Sequence, residues 1–488
     1  MGPWGALLAF CLAFSARPAF AVPDPKEASD QTLPSRMVPT STRALQRYRL
    51  EELVRHVREM NPQVEAARHA LATAQSRLME ARFAHIPTGS LDLLMAPAPR
   101  VECALPDDIV TTASPEERAS KEWRARHCLT TPSLSTAQLV GIDGFFVRFE
   151  MTFLWPIFTF GKIGAAKEAA EAGIRAGQGT LAKTRADLEL QVARAYYGLK
   201  LARELRSMLD EGKEHIVKAI RRIKEDLDEG KGSSTVTDLR RLQVLDAEVD
   251  ARRLEAERGE ALALAALRAL LPGLGQFDID EEPLDFAPSE LKPLADYQEM
   301  ARRSRPEVHL LEGALQARTA ALKAQKAMFL PDLVLVGKLS YAYTSSADMP
   351  HNAFYNNPLN GLGFGGGLAL RLTWDYGLKV ARLRRAEAEL REAKASRQAL
   401  LAGIVLEVEK ARAEAAEARA RLKVLEKGER AAKAWLEAIA QKHAVGLAET
   451  REFADALGAF FQMRLRWLQA VHDACVAQGT LRRATSGE

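Results

Sequence analysis

The chain has 488 residues, of which 47% are hydrophobic, 27% charged and 7% aromatic, enough apolar content for a large core and, by length alone, about three domains. Charge is nearly balanced, with 68 Lys+Arg against 64 Asp+Glu, which argues against a nucleic-acid binder resting on a broad cationic surface. Four cysteines without CxxC spacing exclude a disulfide scaffold and disfavour structural zinc, and no run reaches the roughly 18 apolar residues of a membrane-spanning helix. A β-barrel stays open.

Residues 4–16 form a short apolar stretch, and Ala19-Phe20-Ala21 is an A-x-A cleavage pattern, so residues 1–21 read as a secretory signal peptide. The competing reading, a buried N-terminal helix, meets Pro18, Pro23 and Pro25 at once. A short N-terminal segment, 22–44, follows the cleavage site.

The remainder is a repeat. Asn61-Pro62 opens a helical stretch that ends at Pro87, and Arg305-Pro306 opens one that ends at Pro331; both prolines recur 244 residues on. LWPIFTFGKIGAAKEAAEA around Gly161 resembles LTWDYGLKVARLRRAEAEL around Gly377, now 216 residues on, so the first copy carries about 28 extra residues. A third pair, KGSSTVTDL at Gly232 and VGLAETREF at Gly446, is 214 residues apart. Repeat 1 therefore spans 45–275 and repeat 2 spans 293–482, with a linker at 276–292 and a tail at 483–488.

Between the glycines the sequence is proline-free and rich in Ala, Leu, Glu, Arg and Lys, all strong helix formers. Leu181, Leu188, Val192, Ala195, Leu199, Ala202, Leu205 and Leu209 are spaced by three, four or seven residues, a coiled-coil stripe. Leu383, Ala386, Leu390, Ala393, Leu400, Ile404 and Val408 repeat it. Helices of roughly 70 residues would be on the order of 100 Å long, and each turns at a glycine and returns through 235–270 or 450–482. The unit is a long antiparallel helical hairpin, made twice.

Strands separate the helices. Segment 361–375 sets Leu362, Phe364, Leu368, Leu370, Leu372 and Trp374 against Gly363, Gly365, Gly367, Ala369, Arg371 and Thr373. One apolar and one small or charged face, with aromatic ends, is the pattern of a membrane β-barrel strand. Segments 332–343 and 144–155 alternate likewise, and 90–96 more weakly; the alternative is a soluble hairpin with one buried face. Four strands cannot close a barrel, and open edges in lipid cost several kcal/mol per unpaired group, so the chain must oligomerise. Three copies supply twelve strands.

These features resemble the TolC-like outer membrane efflux protein family, the outer-membrane factors of tripartite pumps and type I secretion. The resemblance covers nearly the whole mature chain. It rests on the two proline-initiated helices, Pro87 and Pro331, the P-[LI]-F-x-x-G signature at Pro156-Ile157-Phe158-Thr159-Phe160-Gly161, and the tips at Gly232 and Gly446 with Asp238 and Glu452 six residues on. The second signature departs, with Leu372 in place of proline and Trp374 in place of phenylalanine. The resemblance implies a mainly α fold with a membrane β-barrel: antiparallel coiled-coil hairpins forming an α-barrel, and four strands per chain of a trimeric 12-stranded β-barrel. It implies a passive conduit in the outer membrane of a Gram-negative bacterium, spanning the periplasm. Its partners would be its own copies, outer-membrane lipid, a periplasmic adaptor (membrane fusion protein) and an inner-membrane RND or ABC transporter.

A conduit works through radius, lining charge and gating and needs no cofactor. By family position Glu452 and Asp455 form a periplasmic gate, two stacked carboxylate rings under threefold symmetry; alternatively they complement a helix macrodipole. Arg148, Glu150, Arg371 and Thr373 are expected to line the barrel lumen, because an outward Arg at mid-bilayer costs about 2–4 kcal/mol. Gly232, Asp238 and Gly446 mark adaptor-docking tips, or merely solvated turns. The Pro-, Ser- and Thr-rich stretch 97–140 reads as an extracellular insert in which Cys103 and Cys128 form a disulfide, two free thiols being the alternative. Gly361, Gly363 and Gly366 match G-x-G-x-x-G but precede a strand, so no dinucleotide site is expected. No catalytic constellation appears, so the chain is not read as an enzyme. The competing function is a periplasmic helical-hairpin adaptor or structural protein without a barrel, which would need only one hairpin.

Overall fold

The computed structural model of the chain describes residues 46–99, 105–128, 142–229, 235–347, 359–444 and 447–485; the expected signal peptide and the 22–44 segment lie outside them. The first half runs β1 (Gln46–Tyr48), α1 (Leu50–Met60), α2 (Pro62–Phe83), β2 (Thr88–Pro99), the short α3 (Asp107–Thr112), α4 (Pro115–Ala119) and α5 (Lys121–His127), then β3 (Ile142–Phe158), α6 (Lys162–Glu229) and α7 (Val236–Leu270). The second half runs β4 (Phe277–Ile279), α8 (Leu294–Ser304), α9 (Pro306–Ala327), β5 (Asp332–Thr344), β6 (Gly361–Arg371), α10 (Tyr376–Ala444) and α11 (Thr450–Thr485). Apart from α3–α5, the two halves share one order of elements.

The long helices α6 and α10 have 68 and 69 residues, on the order of 100 Å each. Their seams bury where the stripes predict: Leu188, Val192, Leu199, Ala202 and Leu209 in α6, and Ala386, Ile404 and Val408 in α10. Near the base of the first hairpin, Leu53 and Val57 of α1 meet Leu188, Val192, Tyr196 and Leu199 of α6, with Leu267, Phe277 and Ile279. The second half repeats this core with smaller side chains, packing Tyr297 and Ala301 against Ile404, Val408, Ala411, Ala415, Leu481 and Ala484. A third cluster joins the two hairpins through Met208, Leu209, Ile216, Val249, Leu457 and Leu468.

Helix crossings are tight where glycine allows. A Cβ on Gly313 of α9 would lie 2.6 Å from the Ala176 backbone nitrogen of α6, and one on Gly179 would lie 2.7 Å from that of Leu310. The helix starts differ between halves. Asn61 caps α2, its Oδ1 accepting from Gln63 N at 2.8 Å, while its Nδ2 donates to the Leu270 carbonyl of α7, also at 2.8 Å. Arg305 occupies the matching place before α9 without capping it. Its buried guanidinium instead pairs with Glu307 at 3.3 Å and with Glu407 of α10 at 2.7 Å.

Several boundaries differ from expectation. The linker 276–292 contains β4, which pairs in parallel with β1. Lys200 binds Asp280 at 2.7 Å beside this pair, and Tyr196 also donates to Asp280. Burial raises the Asp280 carboxyl, but the bonds from Lys200 and Tyr196 outweigh it and hold the group below its ordinary range. The tail begins later than 483, because Arg483 is buried in α11 against Asp187 at 2.7 Å and Glu307 at 2.5 Å. The stretch 97–140 is not all loop: β2 continues to Pro99, and α3–α5 follow.

The remaining strands form one antiparallel sheet in the order β2-β3-β5-β6, so the central pairing joins the two halves of the chain. β2 and β6 are its edges. Where β3 passes into α6, Phe160 and Gly161 take the left-handed backbone, with φ of 50° and 90°. Only glycine does so without strain, which explains the glycine of the first signature. Gly377 of the second copy lies inside α10 instead.

Candidate functional site

The sheet register sorts the strand residues onto two faces. On one, Leu91, Met151, Leu339 and Phe364 stand side by side across all four strands, as do Leu93, Phe149, Tyr341 and Leu362. Leu362, Phe364, Leu368 and Leu370 are 69–84% exposed in the single chain, so this apolar face has no partner within it. Gly337 sits on the same face under the Phe153 ring, which a Cβ there would meet at 2.1 Å. Aromatic cover of a strand glycine pins the register of β3 against β5.

Aromatic residues flank this face at both ends. Phe145 packs on Tyr343 with ring centroids 5.8 Å apart at one end. At the other, Trp155 donates to the His85 carbonyl at 2.9 Å, Phe158 lies 4.7 Å from Phe160, and Phe329 lies 5.9 Å from Tyr376. From Phe145 to Trp155 is about 33 Å of strand, or about 25 Å along the normal at a tilt of about 40°, the height of an outer-membrane apolar band.

The opposite face is polar. Glu150 stands between Asp92 and Ser340 in adjacent strands, with Gly363 beyond. Arg148 donates to Glu150, and Lys338 of β5 pairs with the same carboxylate at 2.5 Å. Arg148 and Glu150 thus lie on this polar face, where sequence alternation puts them. Lys338 and Asp92 belong with them: the alternation of 332–343 already sets Lys338 against the apolar residues of its strand, while Asp92, in the weaker strand, was not singled out by sequence although its signal is the same two-residue alternation. Arg371 ends β6 opposite Asp332, whose carboxylate takes a bond from Lys162 at 2.7 Å. Thr373 is corrected: β6 stops at Arg371, so Thr373, like Leu372 and Trp374, lies in the connection to α10 and belongs to neither strand face. The Thr373 carbonyl takes a bond from Lys379 at 2.6 Å, which holds the chain in this connection.

At the far ends of the hairpins, Glu452 sits in the first turn of α11 and Asp455 one turn on, both exposed. Among the described residues, Asp455 makes only a long 3.9 Å contact with Arg451. Phe453 turns inward between them, stacked on His443 of α10 with centroids 5.2 Å apart. Asp238 closes a capping box on α7, where its carboxylate accepts from Thr235 N at 3.1 Å and from Thr235 Oγ at 2.6 Å. Gly232 and Gly446 lie outside the described residues. Cys128 is disulfide-bonded, while Cys103 also lies outside the described residues. Cys475 is a buried free thiol whose pKa burial pushes up to about 12, an inert packing group.

A family model described as outer membrane efflux protein matches residues 147–273 and 298–487, well over half of the chain. The fold is similar to the Campylobacter jejuni CmeC outer membrane channel, with a TM-score of 0.69 at 15% identity over 90% of this chain and 85% of that one. It is similar to the open state of the Neisseria gonorrhoeae MtrE outer membrane channel, with a TM-score of 0.68 at 17% identity over 90% and 89% of the two chains. The outer membrane protein VceC from Vibrio cholerae gives 0.66 at 17% identity over 90% and 96%. No curated protein sequence matches the chain.

Proposed function

Because the chain belongs to the outer membrane efflux protein family, we propose that three copies join β2 of one to β6 of the next into a 12-stranded barrel over a tunnel of helical hairpins. It is an efflux channel of the outer membrane. The observation that carries the trimer is the four-stranded sheet itself, whose apolar face is unpartnered and whose two edge strands are of similar length, 12 and 11 residues. Lipid leaves no water to satisfy such edges, so closure against other copies is the low-energy solution.

In that assembly Arg148, Glu150 and Arg371 face the lumen. Glu452 and Asp455 form carboxylate rings whose mutual repulsion lets a partner open the periplasmic mouth at small cost. Gly232, Asp238 and Gly446 mark the tips that meet a periplasmic adaptor, which in turn links the channel to an inner-membrane RND or ABC transporter. Cys103 is the partner of Cys128 and braces the extracellular insert.

The test uses the full-length protein in planar bilayers. It should extract from outer membranes as a trimer and conduct, and Glu452→Ala with Asp455→Ala should raise single-channel conductance. Release of the protein with the soluble periplasm would end the channel reading, and unchanged conductance in the double variant would end the gate.

A further inference from the structure

The polar face of the sheet concentrates its mid-strand charge in one place. Arg148, Glu150 and Thr152 alternate on β3, and the register sets Asp92 beside Glu150 and Lys338 beside Thr152. Two strand residues span about 6.6 Å, so the four charges occupy a belt about 13 Å tall. Toward one end the face continues as Ala96, Phe146 and Thr344; toward the other it continues as Leu154, Val336 and Gly367. Charge returns only with Asp332 and Arg371 at the sheet's end.

Within the belt the pairing is uneven. Glu150 has Arg148 on one carboxylate oxygen and Lys338 on the other, and its side chain is 20% exposed against 49% for Arg148 and 52% for Lys338. The acid sits beneath its two cations. Asp92 takes a 3.4 Å hydrogen bond from Ser90 and makes no ion pair among the described residues. With all four present, each protomer's belt has two positive and two negative charges and no net charge. Glu150 touches both cations and Asp92 stands one strand over from Glu150, so a passing ion meets largely offset fields.

We propose that Glu150, held between Arg148 and Lys338, sets the ionic selectivity of the barrel by cancelling a cationic ring that would otherwise favour anionic cargo. This rests on the trimeric channel proposed above. Removing Glu150 leaves two cations against Asp92, one net positive charge per protomer and three around the lumen. Removing Lys338 leaves the reverse. The intact belt accordingly passes cargo of either sign, and charge sorting falls to the periplasmic mouth.

Reversal potentials across a tenfold KCl gradient test this with the full-length channel in planar bilayers, on the Glu452→Ala/Asp455→Ala background so that mouth charges do not contribute. Glu150→Gln should move the chloride-to-potassium permeability ratio toward chloride by about threefold, and Lys338→Gln should move it toward potassium by a similar factor. The pair combined should return it to the parent value. Lys338→Gln stands alone as the test if Glu150→Gln fails to insert. If the channel conducts and the ratio moves in neither variant, or moves the same way in both, the inference fails while the channel stands. If the parent protein forms no channel, the trimeric reading fails instead.

Discussion

Glu307 ties four helices together, and its titration should be visible in how the protein unfolds in acid. It lies at the start of α9, accepts from Arg483 of α11 at 2.5 Å, and sits 3.3 Å from Arg305. Arg483 also binds Asp187 of α6, and Arg305 also binds Glu407 of α10, each at 2.7 Å. Burial alone would raise the Glu307 carboxyl, but the two guanidinium groups lower it from 4.5 to about 2. A shift of that size corresponds to about 3 kcal/mol of stability. Because the folded pKa is the depressed one, this contribution is complete above about 4.5 and disappears as pH falls toward about 2. Glu307→Gln keeps the shape and removes the charge. It should destabilise the protein by about 3 kcal/mol at pH 7 and erase that part of the acid response. Large assemblies often unfold irreversibly, so the assay is the unfolding rate by circular dichroism in detergent between pH 7 and 2. Asp280 and other paired carboxylates add their own slope, so the difference between wild type and variant is what isolates Glu307. Parallel pH profiles for the two proteins would refute the reasoning.

Asn61→Ala removes both the cap on α2 and the bond to the Leu270 carbonyl, and should lower stability by about 1–2 kcal/mol, read as a lower thermal midpoint. Asn61→Asp retains the bond to Gln63 but sets a buried carboxylate oxygen against the Leu270 carbonyl, so its midpoint should also fall below that of wild type. Gly313→Leu places a side chain against the α6 backbone, where even a Cβ would come within 2.6 Å. Overpacking of this kind costs about 1–3 kcal/mol or more, and the variant should be cleaved by protease within α9 at concentrations that leave wild type intact.

The helical frame was legible because its signal is local and repeated. Leu188, Val192 and Leu199 fall on one stripe whatever they pack against, and the prolines at 62 and 306 start helices by their own geometry. The four strands were legible for the same reason, by alternation, but their ends were not. Leu372 and Trp374 continue the alternation past Arg371, yet β5 has already run out of partners, since Asp332 is its first residue and pairs with Arg371. Three-residue strands such as β1 and β4 carry too little pattern to find; Phe277 and Ile279 alternate, but over one period only.

Charge partners were the least legible, because they depend on which elements meet. Glu150 and Lys338 are 188 residues apart and come together only because β3 pairs with β5 across the two repeats. Arg305 looks from sequence like an imperfect copy of Asn61, and its different role follows from what lies opposite: Asn61 faces the carbonyl end of α7, whereas Arg305 faces Glu407 in the flank of α10. A carbonyl is satisfied by an amide donor, while a carboxylate reaching in from an exposed helix flank is met by a guanidinium, here the buried one of Arg305. The duplicated frame therefore fixes where a polar residue is needed at each helix start, and the local partner decides its chemistry.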